Sequence, residues 1–144
     1  CVPEELQQFN PTILGCGIAC GLVIDTLLLV NNYRDRDNDK RDGKMTLVVR
    51  IGIRNTEKLY LYLPTVAEII VFLCLATAMQ ITILEVVSFL ALASLYFIPH
   101  SKTTKKLIAI KKGKALNMVL GMTARDMFLF GIMTAVQIIL IYEP

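Results

Sequence analysis

Residues 15–44 read GCGIACGLVIDTLLLVNNYRDRDNDKRDGK. An apolar run passes without a break into a block where carboxylates alternate with cations. A chain that is 55% apolar, with a mean hydropathy of +0.58, is too greasy for an ordinary soluble domain of 144 residues. A spanning helix needs about 20 mostly apolar residues. Four runs meet that need: 12–30, 59–79, 82–98 and 118–142. The pattern predicts an all-α, polytopic transmembrane bundle of four spanning helices, with a tight helical hairpin at Gln80 to Thr82. A water-soluble helical bundle is the weaker alternative.

Charge placement orients the bundle, because Lys and Arg accumulate on the cytoplasmic side of spanning helices. Of 15 basic residues, eight lie between Arg34 and Lys58 and six between Lys102 and Lys114. The segments 31–58 and 99–117 are therefore expected to be cytoplasmic loops. Lys105, Lys106, Lys111, Lys112 and Lys114 are expected to fix topology and touch anionic lipid of the bilayer. The net charge of +3 is not a nucleic-acid signal, since these cations belong to loops beside a membrane. Cys16, Cys20 and Cys74 form no CxxC pair and are expected to be small core residues. Cys1 heads a chain without an initiator Met or signal peptide, so the chain is expected to start inside something longer.

The carboxylate block admits three readings. Asp35, Asp37 and Asp39 imitate the start of an EF-hand, but its sixth position is Lys40 rather than Gly and its twelfth is Thr46 rather than Glu. A solvated helix end, with Arg34, Arg36, Lys40 and Arg41 pairing neighbouring carboxylates, is the bland reading. Spacing favours a third. If the first helix continues past the membrane surface, Asn31, Asp35, Asp39 and Asp42 share one face. That face runs back through Leu28, Asp25, Gly21 and Gly17, a small and polar seam suited to packing or to lining a cavity. Carboxylates at i and i+4 beside amides suit magnesium, which takes one or two carboxylates, keeps waters and bridges to phosphate. Nearby Arg and Lys suit a diphosphate.

NNYRDRDNDKRDGKMTLVVRIG, residues 31–52, resembles the second aspartate-rich motif of the UbiA superfamily of intramembrane prenyltransferases, in the branch that acts on dihydroxynaphthoate in menaquinone synthesis. The motif form is N-N-x-R-D-x-x-x-D-x-x-x-G-K-x-T-L-x-V-x-x-G, and every fixed position matches, from Asn31, Asn32, Arg34, Asp35 and Asp39 to Gly43, Lys44, Thr46, Leu47, Val49 and Gly52. Residues 99–131 are similar to that branch's last cytoplasmic loop and final helix. The resemblance implies a nine-helix bundle in which two aspartate-rich motifs hold magnesium and a prenyl diphosphate across a cavity. The first motif, N-D-x-x-D-x-x-x-D, has no counterpart in this sequence. Residues 1–144 are thus expected to be the last four helices, a C-terminal part inactive without its N-terminal partner helices, in a bacterial inner membrane with the aspartate-rich segment on the cytoplasmic side.

The resemblance further implies transfer of a polyprenyl group from a prenyl diphosphate to an aromatic acceptor, 1,4-dihydroxy-2-naphthoate. It assigns Asp35 and Asp39 to the catalytic magnesium, Arg34, Lys44 and Arg50 to the diphosphate, and Asn31 and Asn32 to support; Arg50 occupies a position the motif leaves open. The alternative is a non-catalytic four-helix membrane protein, a transporter half or cation-binding subunit, with a charged docking loop. Asp25, Glu68, Arg125 and Asp126 are ionisable groups inside spans, a functional hint by default, but none matches a motif position. Arg125 and Asp126 are expected to satisfy partners in neighbouring helices. Glu85 is expected to reach water, His100 to sit at the interface, and Asn117 to approach the cavity.

Overall fold

The computed structural model describes residues 11–78 and 82–142, and every regular element among them is an α-helix. The helices are α1 (Pro11–Arg41), α2 (Leu47–Ala78), α3 (Ile83–Ile110) and α4 (Leu116–Tyr142). All four are long and apolar enough to cross a membrane. Cys1 and residues 80–81 of the expected hairpin connection lie outside the described residues.

Each helix is longer than its apolar run. α1 continues 11 residues past Val30, α2 begins at Leu47 rather than 59, and α3 runs on to Ile110. The segments 31–58 and 99–117, expected as loops, are therefore mostly helical, and the connections shrink to residues 42–46 and 111–115. Hydropathy reports only the length that suits lipid. A helix stops where its backbone is broken, and charged residues paired with their neighbours do not break it. α2 does break once, at Gly52 (φ 77, ψ 169).

The end of α1 shows what stops it. Gly43 takes a positive φ of 73, its N–H donates to the Lys40 carbonyl at 3.3 Å, and the Lys44 N–H donates to the Asp39 carbonyl at 2.7 Å. This pair of bonds is a Schellman closure, which satisfies the last carbonyls and needs a residue without a Cβ in the left-handed position. It folds Lys44 back over Asp39.

The helices run antiparallel in sequence, so the C-termini of α1 and α3 meet the N-termini of α2 and α4 at one end. Both basic clusters gather there. α1 packs most extensively on α2, and α3 on α4, with α1 and α4 also in contact. Ala19, Val23, Ala67, Val71, Leu75, Phe89, Ala93, Tyr96 and Phe130 form an apolar core in the spans. Leu29, Val30, Tyr33, Val48, Tyr60, Leu107, Leu116 and Val119 form a second core nearer the charged end. The close approach of α1 to α2 is at Gly15, where an added Cβ would lie 2.1 Å from Cys74 Sγ. Gly17 and Gly21, expected to form a packing seam, face open space within this chain, because the packed face of α1 is the one carrying Gly15, Ala19, Val23, Thr26 and Val30. The free thiols Cys16, Cys20 and Cys74 are half-buried.

Candidate functional site

The motif occupies the last three turns of α1, the turn after it and the first residues of α2, up to the break at Gly52. Arg34 is its organiser. Its Nε and Nη2 donate to Asp35 Oδ1 and Oδ2 at 2.8 and 2.7 Å, its Nη2 also reaches Asn31 Oδ1 at 2.9 Å, and its Nη1 reaches Asn117 Oδ1 on α4 at 3.0 Å. A planar guanidinium fork matches a carboxylate in this way, and an ammonium would not. Asp35 lies beyond the apolar run of α1, and the Arg34 hydrogen bond holds its carboxyl below the usual carboxylate range.

Asp39 is built differently. It is 8% exposed, its Oδ1 lies 3.6 Å from Lys44 Nζ, and its Oδ2 is buried with no hydrogen-bond partner. Lys44 also acts electrostatically on Asp35, so one ammonium serves both carboxylates. An uncommitted carboxylate oxygen one helical turn from a second carboxylate is compatible with a magnesium ion that takes one or two carboxylates and completes its shell with water and phosphate oxygens. Among the described residues no group of three or more His, Cys, Asp or Glu side chains comes together, so this end supplies two carboxylates rather than a closed cage.

The other expected residues divide. Asn31 joins through Arg34, and Asn32 is half-buried beside it. Arg50 is exposed and takes part in none of the ion pairs formed among the described residues. Asp42 falls past the helix end, exposed and paired with Arg41 at 3.5 Å, so the expected stripe ends at Asp39. Arg36 is turned inward: it is 9% exposed and sits over the Tyr33 ring. Tyr33 in turn donates to Glu57 Oε1 at 2.7 Å, tying α1 to α2.

A cavity of about 240 Å³ opens beside Arg34 and Asp35, with Asn38, Gly113, Lys114 and Asn117 completing its wall. Asn38, Gly113 and Lys114 were not singled out for this site in the sequence, because they join it only through packing of the 111–115 turn against α1. Asn117 does approach, as expected. Farther along the same two helices lies an apolar groove of about 570 Å³, with Cys20, Val23 and Ile24 on α1 and Ala124, Met127 and Phe128 among its α4 walls. On α1, Ile24 and Asp35 share a face and stand about 16 Å apart along the axis. The α1–α4 seam is therefore polar at the charged end and apolar within the span.

A buried polar cluster ties α3 to α4 below the charged end. Asp126 Oδ2 accepts from Thr103 at 2.6 Å, and Oδ1 accepts from Arg125 Nε and Nη2 at 3.1 and 2.6 Å. His100, expected at the interface, is packed inside the bundle: it is 1% exposed. Its ring stacks on Tyr60 and Tyr96 at 5.0 and 5.5 Å, and its Nδ1 lies 4.0 Å from Asp126 Oδ2. Two aromatic faces and a carboxylate give the imidazole a place inside the bundle. Asp126 thus satisfies a partner on α3, as expected, whereas Arg125, expected to do the same, pairs with Asp126 beside it on α4. Glu85 caps α3, its carboxylate accepting from the Thr82 N–H at 2.6 Å.

No protein-family model matches the chain, and no solved structure matches it either. Two known proteins are similar over part of it. The 1,4-dihydroxy-2-naphthoate octaprenyltransferase of Escherichia coli is 40% identical over 54 residues, which is 38% of this chain and 18% of that protein. The protein of the same name from Mycobacterium tuberculosis is 42% identical over 65 residues, 44% of this chain and 22% of that protein. The aligned part thus spans about a fifth of either relative's length. Both likenesses agree with the aspartate-rich stretch: the chain resembles the dihydroxynaphthoate branch of the intramembrane prenyltransferases.

Proposed function

We propose that this chain is the part of an intramembrane prenyltransferase that supplies the second aspartate-rich motif, and that the whole enzyme transfers a polyprenyl group from its diphosphate to 1,4-dihydroxy-2-naphthoate in menaquinone synthesis. The observation that carries this reading is the two-part α1–α4 seam. Its polar end, with Arg34, Asp35 and Lys114, suits a diphosphate, and its apolar groove suits a prenyl tail. The motif resemblance and the names of both relatives support the same reaction.

In this reading Asp35 and Asp39 hold magnesium, which when bound neutralises charge on the diphosphate. Arg34, positioned by Asp35, Asn31 and Asn117, presents its cation to the same group, and Lys44 and Lys114 add charge from the two turns. The allylic C–O bond breaks and diphosphate departs. The apolar groove keeps water from the allylic cation until the electron-rich ring carbon bearing the carboxylate attacks it, whereupon carbon dioxide leaves. The first aspartate-rich motif comes from N-terminal helices, without which this part is inactive. The charged end faces the cytoplasm of a bacterial inner membrane, by the distribution of Lys and Arg.

The test is magnesium-dependent transfer of a labelled prenyl group to 1,4-dihydroxy-2-naphthoate by the full-length protein in membranes, alongside Asp35→Asn and Asp39→Asn. Collapse of transfer in both variants with unchanged membrane insertion is the expected result. Transfer that survives both would reduce the carboxylates to a solvated helix end.

A further inference from the structure

Glu68 on α2 sits eleven residues beyond Glu57, about 16 Å farther from the charged end and near the middle of a hydrocarbon core about 30 Å thick. It is 4% exposed, as is Thr134, and Gln137 is 2% exposed. Both Glu68 carboxylate oxygens, the Thr134 hydroxyl, and the Gln137 oxygen and nitrogen are buried without a hydrogen-bond partner. These groups are neighbours: the Gln137 side chain acts on the Glu68 carboxyl, and Thr134 lies one turn before Gln137 on the same face of α4. The Gln137 amide stands within loose hydrogen-bonding reach of the Glu68 carboxyl, short of a well-formed bond.

A buried charge without a partner is among the costliest arrangements a protein can hold. Among the described residues no Lys, Arg or His forms an ion pair with Glu68. The cavity beside it, about 280 Å³ between α2 and α3, is walled mainly by apolar side chains such as Phe72, Phe89, Leu90 and Phe97, with the Thr65 hydroxyl its one polar neighbour of Glu68. Apart from Thr65, the buried polar groups left without partners near Glu68 are those of Thr134 and Gln137. Together the three side chains offer four oxygen donors, one negative charge, and neither imidazole nor thiolate. Such a set suits a hard cation. A divalent ion would leave a net positive charge in the bilayer core, whereas a monovalent ion is neutralised.

We propose that Glu68, Thr134 and Gln137 form an intramembrane binding site for a sodium ion, separate from the aspartate-rich end and independent of the transfer reaction. A bound ion would join α2 to α4, which otherwise touch little. Protons compete for the same carboxylate, and the titratable side chain facing Glu68 from α3 is Tyr96, so the site is read at alkaline pH.

The experiment is thermal unfolding of the full-length protein in detergent at pH 8.5, titrated with sodium chloride against choline chloride at constant ionic strength. An ion that binds only the folded state raises the midpoint. Sodium is expected to raise it saturably. Glu68→Gln is expected to lose that response while remaining folded, and Thr134→Val, which removes one ligand oxygen at nearly constant volume, to shift half-saturation to higher sodium. Identical midpoints in sodium and choline would overturn the site and leave a protonated Glu68 as the occupant. A sodium response unchanged in both variants would place the ion elsewhere and equally overturn it.

Discussion

Arg34 of α1 and Asn117 of α4 are joined by a hydrogen bond of 3.0 Å, Nη1 to Oδ1, across 83 positions of sequence. The same guanidinium grips Asp35 with its other two nitrogens. One side chain therefore sets the position of a motif carboxylate relative to the helix that follows the second basic cluster.

Arg34→Lys should be severe although charge is kept. The fork loses its paired bonds to Asp35 and its reach to Asn117, and charge-assisted bonds are worth about 1.5–3 kcal/mol each. Loss of one such contribution from the transition state predicts about a 10- to 100-fold fall in kcat/KM for the prenyl diphosphate, with Asn117→Ala affected several-fold less. Steady-state kinetics of the full-length enzyme checks the order.

Asp39→Asn should separate activity from stability. The Lys44 partner is 67% exposed, and exposed ion pairs contribute at most about 1 kcal/mol, so the unfolding midpoint should hardly move. Removing the charge behind the uncommitted Oδ2 should instead raise the magnesium concentration needed for half-maximal transfer. A large loss of stability with an unchanged magnesium profile would make Asp39 a structural residue.

Gly43→Ala tests why glycine precedes lysine in this motif. A Cβ in the left-handed region costs about 1–2 kcal/mol, and nothing lies within 4 Å of the added atom, so the penalty is strain alone. Lys44 is held over Asp39 only by that turn. Activity should fall more than Lys44→Ala alone would explain by charge, measured as transfer rate per folded protein.

Thr103→Val should destabilise without altering the chemistry. It strips Asp126 Oδ2 of its 2.6 Å donor inside the bundle, at about 1–3 kcal/mol for a buried acceptor left unpaired. Arg125→Ala should cost less, because that side chain is 50% exposed and its charge is partly solvated. Thermal unfolding in detergent distinguishes them, and transfer per folded molecule should be unchanged in Thr103→Val.

Much of the site was legible along the chain. Asn31, Arg34 and Asp35 interact within one helical turn, and the turn at Gly43 returns Lys44 to Asp39; the spacing of Asn31, Asp35 and Asp39 pointed to this face, and the motif resemblance added Arg34 and Lys44. Asn38 and Lys114 were not legible in that role, because the cavity they share exists only where the 111–115 turn meets α1. Arg50, at a position the motif leaves open, was the weakest of the expected diphosphate partners, and it stands outside the ion pairs, on the far side of the Gly43 turn.

Local chemistry is enough to give four apolar helices, their antiparallel order and the gathering of charge at one end, since these depend on residues near each other in the chain. Packing settled the rest. α1 ended at the Gly43 turn and α3 at Lys111, whose φ is 58 and whose N–H closes on the Leu107 carbonyl, rather than where hydropathy was lost. Which face of α1 met α2 depended on Gly15 giving way to Cys74, not on the more obvious Gly17 and Gly21. His100 found its place between two tyrosines from different helices. Hydropathy measures transfer into an average apolar medium, whereas a buried imidazole or carboxylate is decided by the particular atoms that three-dimensional packing sets around it.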